Sequence, residues 1–146
     1  MSTPVETLIP TVPLIEELLD EFGLLHHIDD DGDLTVRWDS FTVYFFQYGE
    51  QKEVLQARAY VDRRLLVEQR ASIVMWLDEW HRTRMAPKAY TTLPDDGVLG
   101  VCAEISHDFE KGATREQIAL IIGTWLSQIT QFAQWFDGLV VDAYAC

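Results

Sequence analysis

LTVRWDSFTVYFFQYGEQKEVLQARAYV, residues 34–61, is the stretch on which the fold turns. Leu34, Val36 and Trp38 alternate with Thr35 and Arg37, the period of a half-buried strand. FTVYFFQY, 41–48, is apolar on both faces and rich in rings, which predicts a central strand. Past a turn at Gly49-Glu50, VLQARAYV alternates again and points Leu55, Ala57, Ala59 and Val61 inward. Links this short join antiparallel neighbours, so the stretch reads as a meander.

Helical periods stand on either side. Over 13–23, Ile15, Leu18, Leu19 and Phe22 share one face, with Pro13 in the first turn and Gly23 as the stop. Over 67–83 a second helix buries Ile73, Trp76, Leu77 and Trp80, and Pro87 ends that region. KAYTTL and VLGVCAEI flank the turn signal Pro94-Asp95-Asp96-Gly97, a second hairpin whose inner face is Leu99, Val101, Ala103 and Ile105. Thr114 and Gln117 have capping-box spacing at the head of a last helix, and Gly138 is placed to close it. The order is α-β-β-β-α-β-β-α, an α+β two-layer fold. No linker divides the 146 residues, which form one domain with a loose lead-in over 1–10.

A net charge of −13, from 24 acidic and 11 basic residues, argues against nucleic acid, whose phosphates are bound by Lys and Arg. MSTPVETLIPT lacks the basic-then-apolar pattern of an export signal. Cys102 and Cys146 form no CxxC pair, which fits a cytoplasmic protein held by its core.

HHIDDDGDLTVRW, 26–38, invites a metal reading. With Gly32 at the sixth position of a calcium loop, Asp29 and Asp31 fall correctly, but His27 takes position one and Trp38 the place of the bidentate Glu. Asp-Gly before an alternating strand is instead a hairpin tip. Cys102 and His107 would face opposite sides of one strand, and the pair Asp78 and His81 has no second copy to complete a di-metal set. GxSxG, GxxxxGK[ST], HExxH and GxGxxG are all missing, so no catalytic, cofactor or metal set stands out.

The last helix is unusual. IALIIGTWLSQITQFAQWF, 118–136, runs nineteen residues without a charge in a chain that is 24% charged. Ser127, Gln128, Thr130, Gln131 and Gln134 make it too polar to span a membrane. Ile118, Ile122, Trp125, Leu126, Ile129, Phe132 and Phe136 define one apolar face. Leu120, Gly123, Ser127, Thr130 and Gln134 lie opposite, where a surface helix would carry Lys and Glu, so this side is expected to be partly covered by another subunit or a polypeptide.

LDEWHRTRMAPKAY, 77–90, resembles a signature of the YbjN-type family of bacterial proteins, in which a Trp-containing helix runs into a basic stretch and a strand. GATREQI, 112–118, is similar to that family's start of the last helix, and DGDLTVRWD, 31–39, to its first hairpin. The resemblance covers about 13–137 and implies a fold like that of type III secretion chaperones: three helices on an antiparallel five-stranded sheet, commonly dimeric. Family members are labelled regulators of sensory transduction. Trp80 would sit in the core, and Pro87, Lys88, Ala89 and Tyr90 would start a strand. His81 stands where relatives would carry an amide such as Asn, a departure that weakens a hydrogen-bonding role there. The resemblance supplies no catalytic residues.

The functional expectation is a non-enzymatic, chaperone-like or regulatory interaction module, acting as a homodimer on a polypeptide partner. Tyr44, Phe46 and Tyr48 would receive the partner if they are not core. A small-molecule sensor would instead need an apolar cavity between sheet and last helix. An enzyme would need Glu104, His107, Asp108 and His81 to converge.

Overall fold

The structure, a computed structural model, describes residues 5–93 and 96–144. The Pro94-Asp95 half of the expected turn, the first four residues and Cys146 lie outside the described residues. Helix α1 spans Val12–Glu21; strands β1 to β4 are His27–Ile28, Leu34–Arg37, Phe41–Tyr48 and Val54–Val61. A 3-10 turn, Val67–Gln69, leads into α2, Arg70–Thr83, and β5, Lys88–Thr92, pairs with β6, Gly100–Asp108, before α3, Arg115–Tyr144. All neighbours are antiparallel, in the order β1-β2-β3-β4-β6-β5.

The sheet has six strands, not five. The extra one, β1, has two residues and is the arm by which the aspartate-rich tip returns to β2: His27 pairs with Thr35, and Ile28 with Leu34. Two residues carry no readable period, which is why the sequence reads as a turn alone.

In-register rows bury one face. Val36, Val43, Ala59, Ala103 and Ala89 lie side by side across five strands, and all are buried. The alanines leave room for the bulky side chains of the helices opposite. Helix α3 lies against β4 and β6, and α2 against β5, so one core joins the helices to this face. Trp80 is buried there, with ring centres 5.2 Å from Phe132 and 5.0 Å from Trp135, and its Nε1 donates to the Pro87 carbonyl at 3.1 Å.

Local signals hold at most helix ends. Thr11 Oγ1 accepts from Leu14 N at 3.2 Å to cap α1. Gly23, at φ +75°, donates to Asp20 O while Leu24 N reaches Leu19 O, a Schellman ending that needs the left-handed glycine. Thr114 and Gln117 exchange the two bonds of a capping box, at 3.1 and 2.8 Å.

Three expectations are corrected. Gly138 does not close α3, which runs on to Tyr144 because Val140 is buried and Tyr144 packs on Trp76 at 5.7 Å. Phe22 is not on the buried face of α1 but sits exposed as its C-cap. The lead-in is tied down from Leu8 onward: Leu8 and Ala113 exchange two backbone bonds of 2.8 and 2.9 Å, and Gln47 Nε2 donates to Pro10 O at 2.8 Å.

Candidate interaction surface

Strand alternation puts the side chains between the buried ones on the helix-free face. Register then builds a row there: Tyr44 on β3, Arg58 on β4, Glu104 on β6 and Lys88 on β5 are successive partners. Arg58 is the hub. Its Nε donates to Glu104 Oε2 at 3.0 Å, Nη1 to the Tyr60 hydroxyl at 3.3 Å, and Nη2 to Gln56 Oε1 at 2.6 Å and the Tyr48 hydroxyl at 3.3 Å. Its guanidinium lies 5.0 Å over the Phe46 ring. Tyr44 stacks on Phe46 at 5.8 Å and meets Tyr60 edge-on at 5.4 Å. The three predicted rings are therefore not core: Tyr44 and Phe46 are half-buried, and Tyr48 is exposed.

Glu104 anchors the far side. The Tyr90 hydroxyl donates to Oε2 at 2.8 Å, and Lys88 Nζ meets Oε1 at 3.1 Å. Burial works against its charge, but the bonds from Tyr90 and Lys88 and the positive charges of Lys88 and Arg58 outweigh it and hold the carboxyl below its ordinary value. Burial, and then the bond to Glu104, raises Tyr90. Cys102 points to this same face yet is only 1% exposed, and burial pushes its thiol up to about 11.

The outer side of α3 is a second, separate surface. Leu120 is 71% exposed, Ser127 and Gln134 are exposed, and Gly123 and Thr130 are half-buried. Thr130 Oγ1 turns back to Leu126 O at 2.7 Å. A shallow groove of about 680 Å³ runs along this side between Phe22 and Gln131, floored by Gly123 and Ser127. Among the described residues, no charged side chain lines it. Of the charges flanking the run, Arg115 pairs with Glu21 at 2.7 Å and Asp137 with Arg63 at 2.6 Å, while Glu116 is exposed. The apolar face of the same helix is buried at all seven expected positions, from Ile118 to Phe136.

The aspartate tip is a turn. Asp29 Oδ1 accepts from Asp31 N at 3.0 Å and Asp33 N at 2.8 Å, and Gly32 takes φ +86°. Oxygens of Asp29, Asp31 and Asp33 lie within 4.8 Å of one another, the one such cluster among the described residues. Burial first, then the charges of Asp29 and Asp31, raises Asp33.

The four groups of the enzyme alternative are held on separate partners. Glu104 serves Arg58, Asp108 Oδ1 accepts from Glu110 N at 2.8 Å, and His107 packs on Phe109 at 4.5 Å. His81 Nε2 accepts from Ala89 N at 3.0 Å, so the hydrogen bond expected to weaken with the loss of an amide is present. The space between sheet and α3 is filled by Val43, Ala57, Ala103, Ile122 and Ile129, all at 0% exposure.

The sequence reading missed Arg58, Tyr60 and Tyr90. The available signal was the outward half of VLQARAYV, where Gln56, Arg58 and Tyr60 alternate with the buried set. No helix among the described residues is long and apolar enough to cross a membrane.

The sequence model of the YbjN family, described as "Putative bacterial sensory transduction regulator", matches residues 11–138. The fold is similar to the crystal structure of YbjN from E. coli, described as "a putative transcription regulator": TM-score 0.76 at 15% identity, over 91% of this chain and 96% of that one. An uncharacterized protein from Methanothermobacter thermautotrophicus aligns at TM-score 0.49 and 13% identity, over 85% of this chain and 94% of its own. No curated protein matches the chain.

Proposed function

The chain belongs to the YbjN family, and on that premise we propose that it is a non-enzymatic regulatory module that works as a homodimer and takes a polypeptide partner on its helix-free sheet face. The observation that carries this reading is the ring array around Arg58. Tyrosines, a phenylalanine and an arginine are the residues enriched where proteins bind proteins. Here they lie half-buried or exposed on a face that no helix among the described residues covers. Acidic groups elsewhere, from a total of −13, would repel acidic competitors. The chaperone-like layout belongs to the same proposal, since placing all three helices on one face leaves the other free for an incoming segment. So does a cytoplasmic setting, in which the buried free thiol of Cys102 stays reduced.

Selection of a random-peptide phage library on the folded protein tests the reading. Enriched peptides should bind the wild type and lose binding to Tyr48→Asp, whose exposed position allows the change without unfolding. Absence of enrichment, or peptides indifferent to both Tyr48→Asp and Phe46→Asp, would sink it.

A further inference from the structure

We propose that the outer side of α3 is where a second copy of this chain docks, about a two-fold axis near Ser127; this rests on the homodimer in the reading above. A two-fold contact sets a patch against itself, so a patch rich in one sign of charge faces the same sign on the other copy. For a chain at −13, most of the surface is then self-repelling. The α3 groove is different: no charge among the described residues lines it, and of the charges that flank the run Arg115 and Asp137 are already paired.

Its polar groups favour a twin as well. Gln128, Gln131, Ser127 and Thr124 each hold both a donor and an acceptor, so each can bond to whichever polar group of the other copy it faces, which neither Lys nor Glu can do. Leu120, 71% exposed, and Phe22 add apolar area along the groove. Position follows from the sequence. Ser127 is the midpoint of the uncharged run 118–136, so an antiparallel copy centred there keeps Glu116 of each chain out at the ends. The small side chain of Ser127 leaves room for a close approach at the axis, and the Phe22 ring packs beside Gly123, 3.7 Å from where a Cβ would stand.

Analytical ultracentrifugation over about 1–100 µM, the range of ordinary specific pairing, provides the test. The wild type should sediment as a dimer. Ser127→Lys and Ser127→Glu should each weaken the dimer about tenfold or more, because like charges meet at the axis. Mixing the two variants should restore a dimer of one copy of each. Unchanged melting temperatures would show that both variants fold, and Leu120→Lys, at a still more exposed position, should weaken pairing independently. A wild type that stays monomeric overturns both this inference and the homodimer. A wild-type dimer that tolerates all three substitutions overturns this face alone, and peptide selection on the sheet face reports separately on partner binding.

Discussion

Arg58 and Glu104 are cross-strand partners on the helix-free face, with Nε and Oε2 3.0 Å apart. They join β4 to β6, 46 residues apart in the chain. Each also holds rings: Arg58 orders Tyr48, Tyr60 and Phe46, and Glu104 orders Tyr90. The pair thus sets the shape of the surface assigned to the partner.

Stability should fall in acid through Glu104. Its folded carboxyl is held below the ordinary 4.5, so its contribution is fully present above 4.5 and is lost as pH drops through the lower folded value. Glu104→Gln should cost about 2 kcal/mol at pH 7, the loss of charge-assisted bonds at a mostly covered site. The deficit should shrink near pH 3, as urea unfolding at the two pH values would read.

At His81, acceptor chemistry matters rather than the ring. His81→Asn can offer its amide oxygen to Ala89 N and should retain most of the stability. His81→Ala should cost about 1 kcal/mol, the net worth of one such bond. Thermal melts of the two variants would separate these outcomes, and equal losses would contradict the assignment.

Gly138 lies inside α3, exposed, with nothing within 4 Å of an added Cβ. Gly138→Ala should therefore stabilise the protein by about 0.5–1 kcal/mol. Gly32→Ala, at φ +86°, should destabilise it. Chemical denaturation of both variants checks the contrast.

Cys102 should resist modification. With its thiol pushed to about 11 and 1% exposed, it should stay unalkylated by iodoacetamide at pH 8 in the folded protein and react fully in urea. Peptide mass mapping distinguishes it from Cys146.

The elements with a clean period were legible: α1, α2, α3, the meander from Leu34 and the β5–β6 hairpin each follow a pattern of apolar spacing. The uncharged side of α3 was also legible, because a missing charge needs no tertiary knowledge to notice. The orientation of FTVYFFQY was not. Both of its faces are apolar, and only the assembled helices decide that Val43 and Phe45 go inward while Tyr44 and Phe46 do not. Arg58 and Glu104 were beyond reach for a similar reason, since their meeting depends on β6 sliding between β4 and β5. Gly138 misled because a local stop signal was weaker than the burial of Val140 beyond it.

The two-residue β1 has one more effect. It leaves one rim of the sheet too short to template a foreign strand, and on the other rim the imidazole of His81 occupies an N–H of β5. Strand addition is thereby disfavoured at both borders, one shortened and the other with one of its N–H groups already taken.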